Sequence, residues 1–192
     1  MRRVVTDAGA PLELSVVGYD HPDAVTLVEA VQLVYIERYG GVDATPVDPA
    51  EFAPPTGVFL VGYANGAPVC CGGWRTHRRV GAHSTPSRRS QHTAGSASAD
   101  GDADADADAD KDAELKRMYV VDQARGRGFA RRLLAELERT AVAAGARRMV
   151  LETGTRQPEA IGLYRSAGYQ PIPGFGVYRC APGSRYFGKP LG

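Results

Sequence analysis

Short blocks of apolar residues, separated by glycine, proline and polar turns, run through most of this 192-residue chain. Residues 12–17 read as a short strand. Over residues 21–39, Val25, Val28, Ala30, Val31, Val34 and Tyr35 recur at helical spacing, predicting a helix that buries this stripe. A proline-rich loop is expected at residues 43–55. Two apolar runs, 58–63 and 68–74, flank Asn65-Gly66, the dipeptide best suited to a two-residue hairpin turn. Residues 115–121 form the next expected strand. Phe129, Leu133, Leu137, Ala141 and Ala144 then share one face of a helix that Gly145 closes. Residues 149–153 predict a strand. A helix over 159–167 follows, with Pro158 at its start and Gly168 at its end. Runs at 169–172 and 185–189 finish the pattern as strands.

Between residues 78 and 113 the pattern disappears. Ser, Thr, Arg and Ala dominate at first, and Asp-Ala then repeats almost without interruption over 102–112. Such a segment offers too little apolar surface to offset the entropy of ordering it. The chain is therefore read as one domain, 1–192, interrupted at about 79–112 by a low-complexity acidic insertion that joins two adjacent strands of one sheet. Its alternating aspartates lack the glycine and glutamate spacing of a calcium loop, so no metal is expected.

Composition narrows the class. The net charge of +1 conceals segregation: from Asp100 to Glu114 there are eight acidic residues and one lysine, leaving about +8 elsewhere. Much of that positive charge lies at 125–148, without interleaved aromatic residues, which suits a small anionic ligand better than nucleic acid. No apolar run has the length of a membrane span, and the first fourteen residues lack the core of a signal peptide. Cys70, Cys71 and Cys180 form neither a disulfide framework nor a zinc pattern. A reducing cytoplasm is the expected location.

The most informative stretch is Arg125-Gly126-Arg127-Gly128-Phe129-Ala130, between a strand and a long helix. A glycine turn that opens a helix leaves backbone N–H groups directed at one spot, where the helix dipole favours negative charge. The turn reads as a phosphate cradle. A dinucleotide site needs Gly-x-Gly-x-x-Gly after the first strand of its unit, and here Arg131 stands where the third glycine belongs.

Strand, glycine turn, long helix, strand and short helix in this order resemble the GNAT superfamily of acetyl-CoA-dependent N-acetyltransferases. Arg125, Gly128 and Ala130 fill the fixed positions of its Arg/Gln-x-x-Gly-x-Gly/Ala loop. The run Gln157-Pro-Glu-Ala160-Ile-Gly-Leu163-Tyr164-x-x-x-Gly168-Tyr169 resembles its Asn-x-x-Ala-x-x-Leu-Tyr-x-x-x-Gly-Phe helix. The resemblance implies an α/β (α+β) fold, with a mixed, mostly antiparallel central sheet flanked by helices and a pair of splayed central strands. It implies that the backbone of residues 125–130 holds the coenzyme A pyrophosphate, with Arg127 and Arg131 adding charge. Main-chain groups of Met118, Tyr119 and Val120 would meet the acetyl and pantetheine parts, and Gln157 would replace the usual asparagine contact. Glu114, eleven residues before Arg125, would take a proton from a primary amine, helped by a pKa raised in a desolvated pocket. Tyr164 would protonate the departing thiolate. Transfer would then be direct, in a ternary complex, with no metal and no cysteine nucleophile; a non-catalytic acyl-CoA-binding module is the other reading.

Fewer residues point to the acceptor. Trp74 is expected in the core and Arg75 at the surface, while Tyr178, Tyr186 and Phe187 are candidates for the acceptor wall. His77, His83 and His92 show no ligand pattern. The acceptor amine is open, and a homodimer is compatible with the sequence.

Overall fold

The computed structural model describes residues 2–5, 11–78 and 111–192. The strands are β1 (Arg2–Val5), β2 (Leu12–Val17), β3 (Gly57–Ala64), β4 (Ala67–Arg78), β5 (Lys111–Val120), β6 (Arg148–Gly154), β7 (Gln170–Pro171) and β8 (Ser184–Pro190). The helices are α1 (Pro22–Tyr39), α2 (Phe129–Ala143) and α3 (Pro158–Ser166). Among the described residues the strands form one eight-stranded sheet in the order β1-β2-β3-β4-β5-β6-β8-β7. Every neighbouring pair is antiparallel except β5 and β6. A parallel pair needs a long crossover, which α2 supplies.

Local chemistry accounts for most boundaries. Asn65 and Gly66 both adopt positive φ, 52° and 77°, as the tight hairpin between β3 and β4 requires. His21 caps α1 by accepting a hydrogen bond from the Asp23 amide at 3.2 Å, and Gly40 ends it in the left-handed conformation. β4 and β5 pair antiparallel, so the segment between them does join adjacent strands. The insertion itself, with His83 and His92, lies outside the described residues. Its last two residues do not belong to it: Lys111 and Asp112 already pair with Arg78 and His77 in the sheet. Asp112 is buried there, with Arg148 donating to its carboxylate at 2.5 and 3.1 Å. This compensated charge makes an Asp-Ala tail into a strand start. β1 had no counterpart among the expected strands.

The sheet buries a core on each face. Trp74, Leu115, Leu133, Leu137, Met149, Leu151 and Phe187 fill one, beneath α2 and α3. The other lies under α1, where Tyr19, Phe52 and Phe59 pack ring on ring with centroids 4.9 to 5.8 Å apart. Cys70 belongs to the first core and Cys71 to the second, as alternation along a strand dictates. The α1 stripe is a correction. Ala24, Leu27 and Val31 are the buried residues, whereas Val25 is exposed. Leu33 and Ile36 are also exposed, so α1 is apolar on several faces and periodicity alone could not choose among them.

Candidate active site

The site begins where the sheet comes apart. β5 and β6 pair from Asp112/Arg148 to Leu115/Leu151 and no further, although β5 continues to Val120 and β6 to Gly154. A bulge drives the separation. Opposite β4, the single residue Gly72 faces both Arg117 and Met118, and Arg117 takes φ 58°. An extra residue bends a strand and increases its twist. Left-handed backbone at a non-glycine residue is unfavourable unless its surroundings hold it. Here the Arg117 side chain is buried and ion-paired to Asp43, and its carbonyl accepts a hydrogen bond from the Cys71 thiol at 3.5 Å.

A cavity of about 330 Å³ occupies the gap. Leu115, Met118, Glu152, Gly154, Gln157 and Tyr164 all line it, as do Tyr35 and Tyr178. Thus Met118 on β5 converges with Gln157 and Tyr164, which stand at the start of α3 and within it. Tyr164 is 6% exposed, with its ring 5.7 Å from that of Tyr169. Burial, with a smaller contribution from Tyr35, pushes its phenol above the ordinary value of 10.0. It therefore stays protonated, as a proton donor must, throughout the neutral range. Of the residues expected at the acceptor, Tyr178 lines this cavity and accepts a hydrogen bond from the Ala44 amide at 2.8 Å. Tyr186 and Phe187 are buried in β8.

Residues 125–130 lie beyond the end of β5, after a short 3-10 turn at Asp122–Ala124, and do not line the cavity. Gly126 and Gly128 have φ 75° and 77°, and Gly128 opens α2 with no side-chain cap. Nothing lies within 4 Å of where a Cβ would stand on either glycine. The glycines are thus required by backbone conformation, and the ground before the helix N-terminus is open. The arginines are already engaged. Arg125 donates to the Val120 carbonyl at 3.2 Å and pairs with Asp122 at 2.7 Å. Arg127 lies over the Phe129 ring at 4.9 Å. Arg131, expected beside a phosphate, instead donates to Ser166 Oγ at 2.7 Å and so ties α2 to α3.

Glu114 overturns its electrostatic expectation. Its carboxylate is buried, with Arg75 Nε at 2.9 Å and Lys116 Nζ at 3.0 Å. Burial acts to raise its pKa, but these two cations outweigh burial and hold it below the ordinary 4.5. Arg75, expected at the surface, is drawn inward by the same pair and by Glu51 at 2.5 Å. A carboxylate whose folded pKa is depressed stabilises the fold fully above the ordinary value, and this contribution is lost as the pH falls through the depressed one. Glu114→Gln is expected to cost on the order of 3 kcal/mol at neutral pH, because it leaves buried Lys116 and half-buried Arg75 without their shared carboxylate. The gap should shrink as urea titrations descend below pH 4.5.

Cys70 and Cys71 offer no alternative chemistry. Burial pushes the Cys70 thiol up to about 12, and that of Cys71 above its ordinary value as well. Neither supplies thiolate at neutral pH.

A family model described as Acetyltransferase (GNAT) family matches residues 29–169. The chain belongs to the GNAT acetyltransferase family. An IAA acetyltransferase of Azospirillum brasilense is 45% identical over 78 residues, 41% of this chain and 51% of that protein. The chain thus spans about half the length of that relative. Among solved structures, the GNAT domain of S. lividans PAT superposes with a TM-score of 0.66 at 20% identity, covering 99% of this chain and 97% of that one. The structure of yncA from Salmonella typhimurium with its cofactor acetyl-CoA gives 0.57 at 17% identity, covering 93% and 94%. These distant likenesses speak for the fold, a mixed, mostly antiparallel sheet whose central strands splay.

Within this GNAT frame, Glu152 went unnoticed in the sequence. It stands on β6 where pairing with β5 has ended, and its Oε1 accepts a hydrogen bond from Ser184 Oγ at 2.6 Å. Burial raises its pKa, and Asp43 and Glu114 add to that against the opposing Ser184 and Lys116. One signal was available: Met149-Val150-Leu151-Glu152-Thr153 carries a single charge inside an otherwise uncharged central strand.

Proposed function

We propose that this GNAT chain is an N-acetyltransferase that moves the acetyl group of acetyl-CoA to a primary amine by direct attack in a ternary complex. The observation that carries the proposal is the parting of β5 from β6 after Leu115/Leu151, which opens a cavity holding Tyr164. The residues present fit the cofactor. An uncapped helix start with two left-handed glycines and open space before it suits a pyrophosphate. Beyond the bulge, β5 has main-chain groups that β6 does not occupy. When bound, acetyl-CoA supplies an activated thioester.

The chain's own groups divide the remaining work. Backbone N–H groups of Gly126, Arg127, Gly128, Phe129 and Ala130 hold the pyrophosphate, while Arg125 keeps the turn in place, its amide donating to the Asp122 carbonyl at 3.2 Å and its side chain gripping the Val120 carbonyl. The main chain at Met118, Tyr119 and Val120 receives the acetyl carbonyl and stabilises the charge that gathers on its oxygen. Gln157 contacts the pantetheine arm from the start of α3. Tyr164 donates its hydroxyl proton to the departing sulfur. Glu114 acts as the anchor of Arg75 and Lys116, since a carboxylate stabilised by two cations is a weak proton acceptor.

Thiol release from acetyl-CoA, followed across a panel of primary amines, tests the proposal. Amine-dependent release is the expected result. Acetyl-CoA binding without release for any amine would support the non-catalytic acyl-CoA-binding module instead.

A further inference from the structure

A second cavity of about 280 Å³ meets the first across a wall that both share, built from Lys116 and Glu152. We infer that this second cavity is the acceptor site, that it takes a cationic primary amine with an apolar arm and no carboxylate, and that Glu152 in the shared wall receives the amine's proton. The inference rests on the transferase reading above and gives it a substrate class and a base.

Charge comes first. Among the described residues the second cavity is lined by four carboxylates, Asp48, Glu51, Glu114 and Glu152, against two cations, Arg75 and Lys116, a formal balance of −2. Both cations are committed. Arg75 bonds to Glu114 and Glu51, and Lys116 bonds to Glu114. A substrate carboxylate would find no free positive partner here and would face Asp48 and Glu51. An ammonium group meets the opposite situation. Among the described residues Glu152 makes no ion pair, its partner being the Ser184 hydroxyl. It is therefore the lining carboxylate open to a cation at the point where the two cavities touch.

The far wall is apolar. Phe175 and Val177 line the cavity, and Val177 is 63% exposed at its edge. Phe175 is braced by His77 at 5.0 Å and by Tyr186 at 5.3 Å, ring to ring. An arylalkyl or alkyl arm packs there, with its ammonium end directed to Glu152.

The step balances as follows. Glu152, directly or through one water, takes a proton from the ammonium nitrogen and passes it to solvent. The freed lone pair forms the C–N bond as the C–S bond breaks. Tyr164 protonates the sulfur and regains a proton from the new amide nitrogen. The charged and titratable groups facing Glu152 are Lys116 and Glu114 from β5, Asp43 from the loop after α1, Arg75 and His77 from β4, and Tyr186 from β8. Burial leads in making its carboxyl more basic than an ordinary glutamate, and the Ser184 hydroxyl opposes it.

Two probes that share an apolar arm separate the possibilities: 2-phenylethylamine and L-phenylalanine, which adds a carboxylate. Calorimetric titration of the full chain should show 2-phenylethylamine binding at least about tenfold more weakly to Glu152→Gln than to the wild type. L-phenylalanine should bind the wild type at least about tenfold more weakly than 2-phenylethylamine. Equal binding of 2-phenylethylamine to wild type and variant, including none to either, overturns the site. Comparable affinity for the two probes overturns the substrate class. Ser184→Ala removes the hydrogen bond that lowers the Glu152 pKa and should move the acidic limb of the kcat profile upward by about half a pH unit. An unmoved limb overturns the base. Circular dichroism and a Glu152→Asp variant with partly restored kcat separate chemistry from misfolding. Glu152-dependent binding without thiol release would remove the transferase reading and leave the site standing. Thiol release unchanged in Glu152→Gln would do the reverse.

Discussion

Replacing Tyr164 by Phe should lower kcat by about a hundredfold or more, the range expected when a positioned general acid is lost, while acetyl-CoA affinity stays within about twofold. The change deletes one oxygen. The ring that packs 5.7 Å from Tyr169 in the core remains, so the melting temperature should move little. The pH behaviour is the sharper part of the expectation. Burial holds the phenol above its ordinary value, so Tyr164 is protonated from acid to well past neutral. The variant's deficit should therefore be constant between about pH 6 and 9 instead of opening or closing with pH. Initial rates of thiol release on both enzymes across that interval are the check. A full wild-type rate in Tyr164→Phe would leave the departing sulfur to solvent and remove Tyr164 from the scheme.

Gly128→Asp should weaken acetyl-CoA binding by about a hundredfold with little effect on the fold. Gly128 has φ 77° at the start of α2, a conformation that Asp tolerates better than most residues, and nothing within 4 Å obstructs the new side chain. Its carboxylate would stand in the open ground before the helix N-terminus. Two phosphate charges about 6 Å away, at an effective dielectric constant of about 40, give a repulsion of roughly 3 kcal/mol, or on the order of a hundredfold in Kd. Gly128→Asn has the same shape and tolerance without the charge, and should lose far less. Fluorescence or calorimetric titration with coenzyme A measures both, with urea unfolding as the control. Equal losses in the two variants would attribute the effect to backbone conformation. Unchanged affinity in both would move the pyrophosphate away from the 125–130 turn.

Much of the fold was legible because local rules agree with the tertiary outcome at particular places. Asn65-Gly66 asks for positive φ at two successive residues and receives it. The sequence confines α2 between Gly128 and Gly145, and the helix runs Phe129–Ala143. Cys70 and Cys71 are adjacent on β4, so strand alternation puts them in separate cores. Failures fall where local information is weak. β1 is four residues long, Arg2–Val5, too short for a period to register. The α1 stripe was right at Val31, which is buried, and at Val28, which packs against the core, but wrong at Val25, because that helix carries apolar residues on several faces and packing made the choice.

The candidate site divides along the same line. The turn at 125–130, the motif around Tyr164 and the order of strands and helices are sequence properties. They depend on conformational preferences and spacings within about fifteen residues, and these suffice for the family and for the left-handed glycines at a helix start. Charge states in the site do not. Against burial, the pKa of Glu114 is depressed first by Lys116 on its own strand and then by Arg75, 39 residues away along the chain, whose share only folding supplies. Among the described residues Glu152 makes no ion pair; it stands on β6 where pairing with β5 has ended and meets the Ser184 hydroxyl instead. Electrostatic energy depends on distance through space and on exclusion of water, and a linear chain carries neither until the sheet has formed. The sequence alone therefore determined the fold family and the glycine turn that opens α2; the tertiary structure decided which carboxylate is clamped between two cations and which meets only a hydroxyl among the described residues.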